Sequence, residues 1–395
     1  MVDLSVEVAG LELKNPLIVA SGTPTMTLEG MLKCIEAGAA GLVTKTATYA
    51  RLHQLQPRPR FMVLRPEAAL RGGYFSLYSV ELMSPYEPER WAEHLRRVKG
   101  RAREAGVAVI ASIAGRTLEE WAKLARLAED SGADMIELNL SCPHVEESEG
   151  SAMGRAAAAR LELVEEVVRA VKQEVAVPVA GKVTPHGVNP VEVALAMERG
   201  GADAVVATAR FQGLVVDPDS MRPVLWGGFG GYGGPWMVPL SCGWVARIAL
   251  SGLEVPIIGS GGISDHLDAL RFMLVGARAF QVCTAIVVGG YGVIGRILGG
   301  LKRWLSERGL DSVRELVGRA LSEIVPFERL DRETRYVAVV DPKRCTGCGA
   351  CERSCFFGAA RVVGGRAVVD VSLCDGCGLC ASLCPTGAVR LVRAS

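Results

Sequence analysis

The chain has 395 residues, 44 basic against 43 acidic, for a net charge of +1. That balance excludes an electrostatic case for nucleic acid or an anionic membrane as partner. No apolar stretch reaches the length of a transmembrane span, and the first residues, "MVDLSVEVAGLELKNP", have neither the basic start nor the apolar core of a signal peptide. These features predict a soluble, cytoplasmic protein.

The chain opens on a short hairpin, "LSVEVAG" followed by "LELKN", and then alternates apolar strands with amphipathic helices. The predicted strands cover 16–22, 41–46, 107–115, 135–141, 177–183, 204–210, 255–262 and 279–286. Near-continuous apolar runs of this kind suit parallel strands buried on both faces. Helices are predicted around 87–106, 117–132, 159–174 and 189–201, where the charge runs form solvated faces. Eight such repeats in a segment of this size predict a (β/α)8 barrel rather than an open doubly wound sheet. The predicted fold class is α/β: this barrel over 1–330, followed by a small α+β domain over 331–395.

Chemistry in such barrels gathers at the C-terminal strand ends. The ends here are polar: Ala20, Ser21 and Gly22; Lys45 and Thr46; Asn139, Ser141, Cys142 and His144; Lys182; Thr208 and Arg210; Gly261 and Gly262; Cys283 and Thr284. Only nine of the 44 basic residues are lysine, so a lysine inside an apolar strand stands out. Lys182 and Lys45 are such residues, and a buried ammonium without a partner is costly. "GSGGIS" (259–264) and "CTAI" (283–286) offer backbone N–H groups to a phosphate. Lys182 is expected to place positive charge beside the rest of the ligand whose phosphate these groups hold. "GGFGGYGGP" (227–235), with Gly234, reads as a mobile or backbone-exposing loop beside it. "GYGVIG" (290–295) matches a dinucleotide fingerprint but follows the eighth strand with no acidic residue at the expected interval, so it reads as a glycine-rich barrel loop.

Eight of the 12 cysteines lie beyond residue 340, in "CTGCGACERSC" from 345 and "CDGCGLCASLCP" from 374. This duplicated C-x2-C-x2-C-x3-C spacing is that of bacterial two-cluster ferredoxins, in which the fourth cysteine crosses to the other cluster. Cys345, Cys348, Cys351 and Cys384 are expected to hold one [4Fe–4S] cluster, and Cys374, Cys377, Cys380 and Cys355 the other. Paired zinc sites are the alternative. Clusters pass single electrons while organic reductions need two, so a flavin is expected in the barrel to convert between them.

"NPLIVASGTPT", "GLVTKT", "IELNLSCPH", "GKVTP", "GSGGI" and "FQVCTA" together resemble the FMN barrels of the dihydroorotate and dihydropyrimidine dehydrogenases. The C-terminal double cluster is similar to the dihydropyrimidine branch. The resemblance implies FMN plus two [4Fe–4S] clusters, hydride exchange between flavin N5 and a ring C5–C6 bond, and Cys142 as the proton donor. It also implies that the segment 145–154 carries the cysteine over the substrate, that His144 positions it, and that Asn139 and Glu81 contact the pyrimidine. Two positions depart from the family pattern, Ser79 and Ala209 standing where asparagines are usual, with Arg210 following. Loss of two amides and gain of a guanidinium point to a modified substrate with an anionic group facing Arg210, an ordinary ion pair at Arg210 being the alternative.

The expected partners are a small-molecule substrate and either a FAD-containing, NAD(P)H-oxidising subunit or a soluble ferredoxin, in a homo- or hetero-oligomer. Dihydroorotate oxidation, reduction of a non-pyrimidine conjugated acid or amide, and a non-catalytic electron-transfer flavoprotein subunit are the rival functions.

Overall fold

A computed structural model describes residues 2–71, 73–141, 153 and 157–394. They form two compact units, residues 2–322 and 323–394. Eight parallel strands close into a barrel in chain order: Leu17–Val19, Gly41–Val43, Ala108–Ile113, Met135–Leu138, Val179–Val183, Ala204–Ala207, Ile257–Ser260 and Ala277–Val282. The ring shuts where Gln281 of the eighth strand pairs with Ile18 of the first. Every strand residue but Ala108 and Arg278 is buried, as a sheet covered on both faces requires. The opening hairpin is present, Val6–Val8 against Leu11–Leu13.

A helix follows each strand, and local chemistry explains where several begin. Thr27, Thr117, Asn189 and Asp265 each cap a helix by accepting an N–H from its first turn. The apolar faces of these helices bury against the barrel wall, with Trp121 and Phe272 wholly inside. No helix among the described residues is long and apolar enough to cross a membrane.

The observed strands are shorter than the apolar runs because the polar residues that follow them leave the sheet. A second sheet, of four antiparallel strands, lies outside the barrel, in the order Phe211–Gly213, Gly230–Gly233, Ser76–Ser79 and Phe61–Leu64. It is assembled from the segments that follow barrel strands two and six. The glycine-rich segment 227–235 is therefore not simply a loop: Gly230–Gly233 pairs with both Phe211–Gly213 and Leu77–Ser79. Glycine lets two neighbouring strands and a long side chain approach this backbone closely, a use that composition alone does not distinguish from flexibility.

The second unit contains two two-stranded antiparallel sheets, Tyr336–Val340 with Val389–Arg393 and Ala360–Val363 with Arg366–Val369. Two short helices, Ala350–Arg353 and Leu379–Leu383, complete it.

Trp121→Ala is expected to lower the unfolding free energy of the barrel by about 3–5 kcal/mol in a denaturant titration, since it empties the largest fully buried side chain.

Candidate active site

The polar strand ends converge on one cavity at the barrel mouth. Ala20, Ser21, Lys45, Thr46, Glu81, Asn139, Lys182, Arg210, Gly261, Gly262, Cys283 and Thr284 all line it, as the sequence predicts. So do Ser141, another of the strand-end residues, Phe61 and Leu77 of the four-stranded sheet, and two charged or amide residues that the sequence did not single out, Glu137 and Gln281.

Charges in this cavity come with partners. Lys45 Nζ lies 3.2 Å from Glu81 Oε2, both side chains being nearly inaccessible. Thr23 donates its hydroxyl to Glu81 Oε1 at 2.6 Å. Burial pushes the Glu81 carboxyl up, but Lys45, Thr23 and Arg210 together outweigh it and hold the group below its ordinary value. Lys182 donates to Gln281 Oε1 at 2.6 Å and stands 3.5 Å from Glu137 Oε1. A run of hydroxyls ties the first four strands. Thr46 Oγ1 lies 3.3 Å from Ser21 Oγ and 2.9 Å from Ser112 Oγ, and it accepts Asn139 Nδ2 at 3.0 Å. Asn139 Oδ1 accepts the Ser141 hydroxyl at 3.1 Å, so the amide is held from both ends.

Arg210 is seated differently. Its Nη1 donates to Ser79 Oγ at 2.7 Å. A Cβ on Gly231 would come within 2.7 Å of its Cζ, and one on Gly233 within 3.1 Å of its Cγ. The guanidinium therefore lies across a strand without side chains. Ser79 is wholly buried and does not line the cavity; it anchors Arg210.

Gly261 and Gly262 have φ of +125° and +87°, backbone that only glycine adopts freely. A Cβ on Gly262 would come within 2.5 Å of the Gly234 carbonyl, so Gly234 supports this turn from behind the cavity wall. Gly22 packs likewise against the Cys283 sulfur. Burial pushes the Cys283 thiol up. Thr208 is fully buried, its hydroxyl 3.2 Å from Ser241 Oγ, and is not among the cavity-lining residues. Cys142, His144 and the segment 145–154, Met153 apart, lie outside the described residues.

In the second unit the eight thiols divide into two sets around two hollows. Cys345, Cys348, Cys351 and Cys384 line one, and Cys355, Cys374, Cys377 and Cys380 the other. This is the grouping that the crossed ferredoxin spacing predicts. No three His, Cys, Asp or Glu side chains among the described residues converge on a single ion position. Four thiols around each hollow match the ligand count of a [4Fe–4S] cluster. Backbone N–H groups of Ala338, Ala367 and Ala388 donate to Cys374, Cys345 and Cys384. At Cys384 slight burial pushes the thiol up, but the Thr386 hydroxyl and neighbouring amides pull it down to about 7, towards the thiolate that ligates metal.

Residues 3–305 match the dihydroorotate dehydrogenase family, and residues 338–385 match a 4Fe-4S dicluster domain. The chain belongs to the dihydroorotate dehydrogenase family. The NAD-dependent dihydropyrimidine dehydrogenase subunit PreA of Escherichia coli (strain K12) is 33% identical over 368 residues, covering 91% of this chain and 87% of that protein. The catalytic subunit of dihydroorotate dehydrogenase B (NAD(+)) from Pyrococcus abyssi is 37% identical over 318 residues, covering 80% of this chain and 99% of its own. The corresponding subunit from Methanothermobacter thermautotrophicus is 35% identical over 319 residues. The chain is thus a flavin- and iron–sulfur-dependent oxidoreductase of this family.

Because its folded pKa is depressed, ionised Glu81 stabilises the fold above its ordinary value of 4.5, and that contribution is lost as pH falls through the folded value. Glu81→Gln is expected to lower the melting temperature at neutral pH, with the gap to the unaltered chain closing only below about pH 4.5. Melting curves across the acid range measure this.

Proposed function

We propose that the protein interconverts a saturated and an unsaturated ring C–C bond of a pyrimidine or closely related cyclic acid, in the manner of a dihydropyrimidine dehydrogenase. The two four-thiol sets, Cys345, Cys348, Cys351 and Cys384 with Cys355, Cys374, Cys377 and Cys380, would hold two [4Fe–4S] clusters, which would supply a one-electron path to or from a separate protein. The observation that carries this reading is the coexistence in one chain of a polar, charge-paired cavity at the barrel mouth and two four-thiol hollows. The extent of the similarities supports the dihydropyrimidine branch. The match to PreA covers 91% of the chain, while the dihydroorotate relative uses 99% of its own length and leaves a fifth of this chain unmatched.

The residues present fit FMN. The cavity draws its lining from the ends of seven barrel strands, and its chemistry rather than its size is what matches the cofactor. Its donor set combines a buried ammonium at Lys182, exposed backbone at Gly261 and Gly262, and the hydroxyls of Ser21, Thr46 and Thr284. When bound, FMN supplies hydride exchange with the substrate and conversion between electron pairs and single electrons.

The chain's own residues take the remaining roles. Asn139, held by Thr46 and Ser141, orients a ring edge by donating and accepting at once. Ionised Glu81 accepts an N–H of the substrate ring, and Lys45 keeps it charged. Cys142 gives up the proton in the reductive direction and takes it in the oxidative one. A free thiol, with a pKa near 8.5, is mostly protonated at neutral pH, as a general acid requires. The electron partner is a FAD-containing, NAD(P)H-oxidising subunit or a soluble ferredoxin.

One observation favours a second reading. Arg210 faces the cavity with a hydroxyl for an anchor and no ion pair of its own among the described residues, which suits a substrate carboxylate such as that of orotate.

Anaerobic, photoreduced protein is expected to be reoxidised by a member of a panel of uracil, thymine, orotate and cyclic enoic acids, and Cys142→Ala to slow that step by about 10²–10⁴-fold. Failure of the whole panel to reoxidise the flavin overturns the proposal. Arg210→Ala is expected to raise KM for a carboxylated substrate by roughly 10–100-fold with kcat little changed, and an unchanged KM removes the anion reading.

A further inference from the structure

Beneath the residues assigned to substrate lies a charged cluster that the proposed reaction does not consume. Glu137 sits mid-strand between Ile136 and Leu138 and is 1% exposed. A lone carboxylate in that position is strongly unfavourable. Its oxygens meet groups from two other barrel strands. Gln281 Nε2 donates to Oε2 at 2.5 Å, and Lys182 Nζ stands 3.5 Å from Oε1. Gln281 Oε1 accepts Lys182 at 2.6 Å. The amide has only one orientation consistent with both neighbours: oxygen towards the ammonium, nitrogen towards the carboxylate. Lys182 therefore makes its short bond to a neutral group and keeps the carboxylate at longer range. The two charges offset one another without collapsing into a tight pair, and all three side chains line the cavity.

We propose that Glu137, acting through Gln281 and Lys182, is a positioning residue that lowers the reduction potential of the flavin in this cavity. The inference rests on the flavin reading above. A fixed ammonium beside the isoalloxazine ring favours the reduced cofactor, which takes up negative charge. A carboxylate one amide further away subtracts part of that field while locking the ammonium in place. Inside the barrel neither charge is screened as it is in water.

The test is spectroelectrochemical titration of the anaerobic, flavin-loaded full chain. Glu137→Gln keeps an acceptor for Gln281 and removes the charge. Its flavin midpoint is expected to move positive, the reduced cofactor gaining about tenfold in relative affinity, which for a two-electron couple is about 30 mV. Lys182→Met is expected to move it negative, and the cluster potentials are expected to stay put in both. Should Glu137→Gln fail to fold or load flavin, Glu137→Asp, which retracts the charge, is expected to give a smaller shift of the same sign. A midpoint that is unmoved or more negative in the Glu137 variant that loads flavin overturns the inference. A native chain that binds no flavin at all refutes the proposed function instead, so the two failures are told apart.

Discussion

A charge placed at the mouth of a closed barrel loses most of its water, and it persists there only with partners that replace that hydration. This constraint shapes the candidate site. Lys45 is answered by Glu81, Lys182 by Glu137 through Gln281, and Arg210 by the Ser79 hydroxyl. Each partnership joins segments far apart in the chain, so the cavity's chemistry depends on the barrel having closed in register. The same pairings keep the side chains preorganised, which is what an enzyme that must orient both a cofactor and a flat substrate needs.

The two units are stabilised by different means. The barrel buries a continuous apolar core from its strands and helices. The second unit's buried hydrophobic cluster centres on Cys351, Ala360 and Ala367, with five more thiol-bearing or valine neighbours packed around it. So small a core provides little stability, and the thiols close the gap once iron binds, because metal-binding free energy is then folding free energy. The spacing of the eight cysteines thus serves both folding and electron transfer.

Much of this was legible in the residues. Eight apolar runs marked the eight barrel strands, because strands covered on both faces admit almost no polar residue. Lys45 and Lys182 drew notice as cations inside such runs. The duplicated cysteine spacing anticipated how the thiols divide around two hollows. The four-stranded sheet was not legible: its strands are short, drawn from two distant segments, and one is nearly all glycine, which reads as a loop. Glu137 and Gln281 escaped for another reason. Strand periodicity tells that a residue alternates but not which polar side chain on a doubly buried strand faces a cavity with partners waiting. Thr208 stood at a strand end like the others, yet its hydroxyl turned to Ser241, a choice made by a helix that follows thirty-odd residues later. The pairing of Ser79 with Arg210 was visible only as two separate departures until the glycine strand between them was in place.

The central claim is that one chain unites a two-electron cofactor in the barrel with two one-electron clusters in its second unit. Anaerobic reductive titration, followed by visible absorbance and electron paramagnetic resonance, tests it most directly. The account predicts uptake of about four electrons per chain, two at the flavin and one at each cluster. Uptake of about two electrons without any cluster signal, or of none, contradicts it.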